Sequence, residues 1–220
     1  MVVAIDGPSG AGKSTIAKAV AEDLSFGYLD TGALYRAIAA AVLAAGENPE
    51  DQGQVAAILP EMVLELHYEG SQQKTYINKE DYTKKLRSPE VSMGASAVAS
   101  YPCVREKLLS IQRETGEEQN IIVDGRDIGT VVFPAASVKI FLTASPESRA
   151  KRRLAQNVES GVSDSYEEVL QQIIQRDEQD ENRAIAPLRQ AEDAILVDTT
   201  NYTLEESIEW VKKIVKNQLG

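Results

Sequence analysis

The sequence predicts an α/β fold, a doubly wound parallel sheet flanked by helices, with a phosphate-binding loop at its first strand. Three observations carry this. Gly7-Pro8-Ser9-Gly10-Ala11-Gly12-Lys13-Ser14 matches G-x-x-x-x-G-K-[ST] and directly follows the apolar run Val2-Val3-Ala4-Ile5-Asp6. Short apolar runs recur along the chain, as strands buried on both faces require. Helical patterns separate them, so each pair of strands is joined by a crossover.

The first strand is Val2–Asp6. The glycines after it permit backbone angles that a Cβ would forbid, so that successive N–H groups can face a polyphosphate. Lys13 then supplies a cation for the β and γ phosphates, and the Ser14 hydroxyl is a magnesium ligand. Thr15 and Ile16–Ser25 continue as a helix whose N-terminus favours an anion. A nucleoside triphosphate site is implied. The second strand is Tyr28–Asp30, and Ala33–Ala45 reads as a helix with Thr31 as its cap. Within the next crossover, Val63–Glu69 and Lys74–Asn78 alternate around Gly70-Ser71-Gln72-Gln73, which signals an inserted β-hairpin. Val104–Arg113 is helical. Ile121–Asp124 and Val138–Thr143 are the third and fourth core strands, and Ala194–Asp198 is the fifth. Glu147–Asn157, Tyr166–Arg183 and Leu204–Asn217 complete the helices. Ser145-Pro146 and Thr203 through Glu206 have the form of N-terminal caps. The charged stretch 150–189 is too long for a simple connection and reads as a mobile cover.

Composition narrows the chemistry. With 220 residues the chain can bury one sizeable α/β core. A formal charge of −11 disfavours a nucleic-acid partner. Cys103 is the single cysteine and His67 the single histidine, so neither a disulfide nor a cysteine metal cage is expected, and histidine catalysis is improbable. No signal peptide is evident, and the longest helix-compatible apolar run, Ala37–Ala45, falls short of the roughly 20 residues a bilayer span needs. A cytoplasmic location without membrane or nucleic-acid partners is expected.

Several side chains collect at the carboxyl ends of the predicted strands, where open parallel sheets bind ligands. Arg36 follows Asp30-Thr31-Gly32 and suits either a phosphate or plain solvation. Gly125-Arg126-Asp127 follows the third strand, so that Asp124 or Asp127 can serve a magnesium-bound water, a hydroxyl or a base amine. Arg149, Arg152 and Arg153 cluster on one helix, and Arg176, Asp180 and Arg183 share a face at i, i+4 and i+7. Taken alone, such a segment reads as an ion-paired solvated helix; beside a triphosphate site it gains weight as the cations that a transferring phosphoryl group needs. Asn78-Lys79-Glu80-Asp81 matches a guanine-reading string, but it precedes the Asp124 strand and no D-x-x-G occurs, so the match is taken as accidental. His67 is expected on a strand surface, and Met62 and Met93 in the core.

Gly7–Thr15, Asp30–Arg36, Ser96 through Arg105, Gly125 through Pro134 and Arg176–Pro187 together resemble bacterial cytidylate kinases over essentially the whole chain. The resemblance implies a P-loop kinase with a five-stranded parallel sheet, a nucleoside monophosphate-binding insert carrying the hairpin, and a short helical lid. It implies a core of residues 1–30, 114–149 and 184–220, an insert of 31–113 and a lid of 150–183. ATP would then be bound by Gly7, Pro8, Ser9, Gly10, Ala11, Gly12, Lys13, Ser14 and Thr15, with Mg²⁺ on Ser14. Thr31 also belongs to the implied CMP site. By the same resemblance Ser96, Arg105 and Asp127 would read cytosine, Arg36, Arg126 and Arg183 would hold the CMP phosphate, and Arg176 and Asp180 would reach the ribose. Arg149 and Arg153 would lie near ATP and the transferring group. The implied reaction is transfer of the ATP γ-phosphate to CMP or dCMP by a monomer. The alternatives are a kinase for another nucleoside monophosphate or a small metabolite, and a non-catalytic nucleotide-gated switch.

Overall fold

The computed structural model describes residues 1–69, 72–117, 120–159 and 163–219. Its strands are β1 (Val2–Asp6), β2 (Gly27–Asp30), β3 (Leu64–Glu69), β4 (Gln72–Ile77), β5 (Glu80–Asp81), β6 (Ile121–Gly125), β7 (Val138–Thr143) and β8 (Ile195–Asp198). Its helices are α1 (Lys13–Leu24), α2 (Thr31–Ala44), α3 (Gln52–Ile58), α4 (Pro89–Val98), α5 (Pro102–Glu117), α6 (Pro146–Glu159), α7 (Tyr166–Asn182) and α8 (Leu204–Asn217). The five expected core strands form one parallel sheet in the order β2-β6-β1-β7-β8, and β3-β4-β5 form a separate antiparallel sheet. With β1 in the middle, the phosphate-binding loop leaves the sheet between the ends of β6 and β7.

Alternation of side chains divides the core into two halves, one on each face of the sheet. Val3 and Ile5 pack with Tyr28, Ile122, Ile140 and Leu142 against α1 and α8. Ala4 packs with Leu29, Ile121 and Val123 against α2, α4 and α5. In α2 nearly every side is buried, and its alanines allow close approach. A Cβ on Gly94 of α4 would stand only 3.2 Å from that of Ala39. A third, small cluster of Ala150, Val169 and Ile173 joins α6 to α7. No helix among the described residues is long and apolar enough to cross a membrane.

The inserted hairpin forms with Glu69 paired to Gln72, so Gln72 and Gln73 belong to the ladder rather than to the turn. Gly70 and Ser71, like Gly161 in the charged stretch 150–189, lie outside the described residues. Asn78 and Lys79 adopt left-handed angles, with φ of 51° and 68°, in the turn between β4 and β5. The guanine-like string is therefore turn chemistry. His67 is exposed on β3 with its ring edge against Tyr76, as expected of a strand surface. Met62 is buried, but Met93 is 67 % exposed, because it sits on the outer face of α4. The short helices α3 and α4 had no clear periodic signal in the sequence.

Two local boundaries differ from expectation. Asp30, not Thr31, caps α2: its carboxylate accepts from the Ala33 N–H at 2.9 Å, while Thr31 already belongs to the helix. Helix α7 ends at Asn182, and Arg183 follows in an extended conformation (φ −62°, ψ 141°). Arg183 therefore leaves the face shared by Arg176 and Asp180. The caps at Ser145 and Thr203 form as expected, the latter as a reciprocal capping box with Glu206.

Candidate active site

The loop after β1 turns through Gly7, Gly10 and Gly12 at φ of 149°, 75° and 93°. A Cβ on Gly7 would lie 1.9 Å from the Leu142 carbonyl oxygen, where no side chain fits. Gly7→Ala is accordingly expected to lower the thermal midpoint by roughly 6–12 °C, since about 3 kcal/mol of strain moves a domain of this size that far. A scan showing an unchanged midpoint contradicts that packing.

A cradle whose N–H groups face a ligand leaves carbonyls facing the protein. Two arginines of α6 meet them. Arg149 donates to Ser9 O at 2.9 Å and to Ala144 O at 2.8 Å, and pairs with Asp177 at 2.6 Å. Arg152 donates to Ala11 O at 3.3 Å and to Thr199 O at 2.6 Å. Arg149 is buried, and its guanidinium nitrogens are engaged with the loop, the end of β7 and α7. Arg153, half-buried on the same helix, instead adds its charge to the field around Arg176.

Lys13 is buried at the first turn of α1, with its ammonium donating to Pro8 O at 2.7 Å. Burial, reinforced by Arg126, pushes its pKa well below the ordinary lysine value. An anion beside it would reverse that penalty. Ser14 and Thr15 are exposed on the opening side of the same turn. The Ser14 hydroxyl donates to Asp124 Oδ2 at 2.8 Å, and Tyr28 donates to Asp124 Oδ1 at 2.9 Å. Thr31 Oγ1 donates to the Asp124 carbonyl at 2.8 Å. The Asp6 carboxylate accepts the Ile128 and Gly129 N–H groups, each at 2.7 Å, and so fixes the segment that follows Asp127.

Asp6 and Asp124 share a perturbation. Burial raises each carboxyl from 3.8 to about 6, with Asp30 adding to the effect at Asp124. Between those values the folded chain binds more protons than the unfolded one, so this contribution to stability falls as pH rises. The stability of the ligand-free chain relative to an Asp124→Asn variant is expected to drop by on the order of 2 kcal/mol between pH 4 and pH 7. Urea midpoints of the two proteins across that range check it, and a pH-independent difference contradicts it.

Beyond β6, Asp127 is buried between Arg105 and Arg183, with Arg183 at 3.3 Å. Arg105 comes from α5 and also donates to Ala99 O at 3.2 Å. Tyr35 lies under its guanidinium, 5.8 Å from ring centroid to carbon. Arg126 donates to Asp180 at 2.7 Å. Burial acts against the Arg126 charge, but Asp180 prevails and holds its pKa above the usual value. Asp180 is held low: burial would raise it, and Arg126 and Arg176 overcome that. Arg176 goes the other way. Burial, with Arg126, Arg36 and Arg153 nearby, lowers it to about 10, and its Nε has no partner among the described residues. Arg36 pairs with Asp30 at 2.8 Å. Ser96 is half-buried on α4.

The expected residues thus fall into a loop group around Lys13 and Ser14 and an arginine–carboxylate group around Arg126, Asp127 and Asp180. Charge interactions between Lys13 and both Arg126 and Asp180 join the two groups. The sequence reading missed Asp6, Tyr28 and Asp177. It also missed Gln73, which receives the Asp30 N–H at 2.8 Å and ties the hairpin to β2. Asp6 was accessible as the last residue of a strand feeding the loop. The others act through contacts distant in sequence, which no local pattern records.

Two oxygen donors, Ser14 and Asp124, stand beside a phosphate cradle, while both Asp6 oxygens are committed to backbone N–H groups. This set fits Mg²⁺, which takes few protein ligands and completes its shell with water and phosphate oxygens.

Comparison with known proteins agrees with this arrangement. The family model described as cytidylate kinase matches residues 3–217. Among curated relatives, a cytidylate kinase of Halalkalibacterium halodurans is 44 % identical over 219 residues, covering 100 % of this chain and 99 % of the relative. One from Carboxydothermus hydrogenoformans is 46 % identical, covering 98 % and 97 %. Another, from Mycobacterium leprae, is 45 % identical, covering 100 % and 97 %. A nucleotide cradle, a cluster of arginines and end-to-end similarity lead to one assignment: the chain belongs to the cytidylate kinase family.

Proposed function

We propose that this chain transfers the γ-phosphoryl group of ATP to CMP or dCMP, giving ADP and CDP or dCDP. The observation that carries this reading is the gathering of Arg36, Arg126 and Arg153 around Arg176, beside a Lys13 whose charge burial and Arg126 disfavour despite Asp124, Asp180 and Asp6 nearby. So many cations near one volume are costly unless phosphates enter it. No histidine stands among them, and none is required. The acceptor is a phosphate oxygen already ionised at neutral pH, so it attacks without losing a proton. A bond forms from that oxygen to the γ-phosphorus, and the bond to the β-γ bridging oxygen breaks, leaving on ADP.

The chain's own residues orient and neutralise. Gly7 through Thr15 hold the ATP phosphates, with Pro8, Ser9, Gly10, Ala11 and Gly12 forming the bend and every residue but Pro8 offering a backbone N–H. Lys13 neutralises charge at the transferring group. Arg36, Arg126 and Arg183 hold the CMP phosphate. Arg176 and Asp180 reach the ribose, while Ser96, Arg105 and Asp127 read the base and Thr31 lines the same site. Arg149 fixes the loop from behind, and Arg153 faces the transferred group. Mg²⁺ held by Ser14, with Asp124 accepting from its shell, would supply charge neutralisation on the β and γ oxygens. Of the two carboxylates open in the sequence, Asp124 is favoured because Asp127 is occupied by two guanidinium groups. Residues 150–183 serve as a lid and 31–113 as the monophosphate-binding unit on a core of 1–30, 114–149 and 184–220. The working form is a cytoplasmic monomer.

A coupled assay of ADP release over CMP, dCMP, UMP, AMP, GMP and dTMP tests the assignment. CMP and dCMP are expected to turn over fastest, with negligible ATP consumption when no acceptor is present. Faster turnover of AMP or dTMP overturns the cytosine preference, and acceptor-independent hydrolysis overturns the kinase reading.

A further inference from the structure

Tyr28 lies on β2, outside the phosphate loop and outside the arginine group, yet its hydroxyl ends on Asp124 Oδ1 at 2.9 Å. The ring is buried with Val3, Ile5 and Ile122, so it has little freedom to turn away. Ser14 takes the other oxygen of the same carboxylate at 2.8 Å, and Thr31 takes the backbone carbonyl at 2.8 Å. Asp124 is thereby fixed from three elements, β2, α1 and α2. Of the three donors, Tyr28 alone sets the rotation of the carboxylate from the side away from the loop. Burial and the neighbouring Asp124 push its hydroxyl ionisation far up, so it remains a donor at any working pH.

Resting on the proposed Ser14 and Asp124 metal site, we propose that Tyr28 is a positioning residue that sets the divalent-cation affinity of the nucleotide complex. By holding Oδ1, it directs Oδ2 at Ser14 and keeps the Ser14 O–H pointed at Asp124. The lone pairs of Ser14 are then left facing the opening, where a cation bridging the phosphates would sit. Without the phenol oxygen the carboxylate loses one of its two donors and its fixed rotation. Partners of this kind, one bond behind a metal ligand, typically change metal affinity by about 10–100-fold.

Tyr28→Phe keeps the ring and its packing and removes only the hydroxyl. The probe is Mn²⁺, titrated into the full chain with saturating ADP and followed by loss of the free-ion electron spin resonance signal. Half-saturation is expected at about tenfold higher Mn²⁺ in Tyr28→Phe, while affinity for ADP in the absence of divalent ion changes less than twofold. A purely packing role would move both quantities together or neither. An unchanged Mn²⁺ midpoint in Tyr28→Phe overturns the proposal. Asp124→Asn, run in parallel, separates the two levels. If it weakens Mn²⁺ while Tyr28→Phe does not, only the role of Tyr28 fails. If neither variant changes the midpoint, the metal site itself is misplaced.

Discussion

Replacing Lys13 by alanine is expected to lower kcat by about a thousandfold, with the KM for CMP little changed. The reason is the position of the ammonium. It is buried at the base of the loop and donates to Pro8 O at 2.7 Å, and its charge is disfavoured until an anion arrives. A cation held in that condition interacts most strongly where negative charge accumulates in the transition state, and losing one such preorganised group costs about 10²–10³ in rate. Because the proposed place of Lys13 is under the ATP phosphates, the acceptor site proposed around Arg126 and Asp180 should survive. Single-turnover measurements with CMP and magnesium-ATP separate the effects. A variant that binds ATP poorly but transfers at the normal rate once saturated would contradict a role in the chemical step.

The second large effect is expected at Asp127. Its carboxylate is buried against Arg105 and Arg183, so Asp127→Ala leaves two guanidinium groups without their partner. Removing one member of a buried charge pair typically costs about 3–5 kcal/mol of stability. Beyond that, the acceptor proposed for the cytosine amine disappears, and preference for CMP over UMP should fall by about 10–100-fold, the usual worth of such a contact. The magnesium dependence should not move, because Asp124 and Ser14 remain. Ratios of kcat/KM for CMP and UMP, taken below the variant's melting range, decide the matter. An intact preference for CMP would remove Asp127 from base recognition.

The parallel sheet was legible because its central strands β1 and β6 are buried on both faces and appear as uninterrupted apolar runs. The expectation of two buried faces fails at the edge strand β8, where only Val197 is buried and Ile195 and Leu196 are exposed. β1 through the loop to α1 is legible for a further reason: Gly7 and Gly10 answer close approaches of Leu142 and Arg149, and Gly12 answers a left-handed φ of 93°. Helices α3 and α4 were not legible. One is seven residues long and the other is built of small residues that pack without a strong apolar stripe. The helical spacing of Arg176, Asp180 and Arg183 misled at its end, because the chain turns at Arg183 to bring it to Asp127. The site was half visible. Lys13 and Ser14 open the helix after the loop, and Arg126-Asp127 follow a strand end, places where position alone carries meaning. Tyr28, Asp177 and Gln73 matter through partners 28 to 96 residues away, such as Arg149 for Asp177 and Asp124 for Tyr28.

Phosphorus NMR of the chain with magnesium-ATP and CMP tests the central claim most directly, because it reports where the γ-phosphorus goes. Equal amounts of ADP and CDP should appear as ATP and CMP decline, with no inorganic phosphate beyond the trace that water competition yields. Accumulation of inorganic phosphate without CDP would contradict direct transfer between two nucleotides held end to end by backbone amides, Lys13 and arginines.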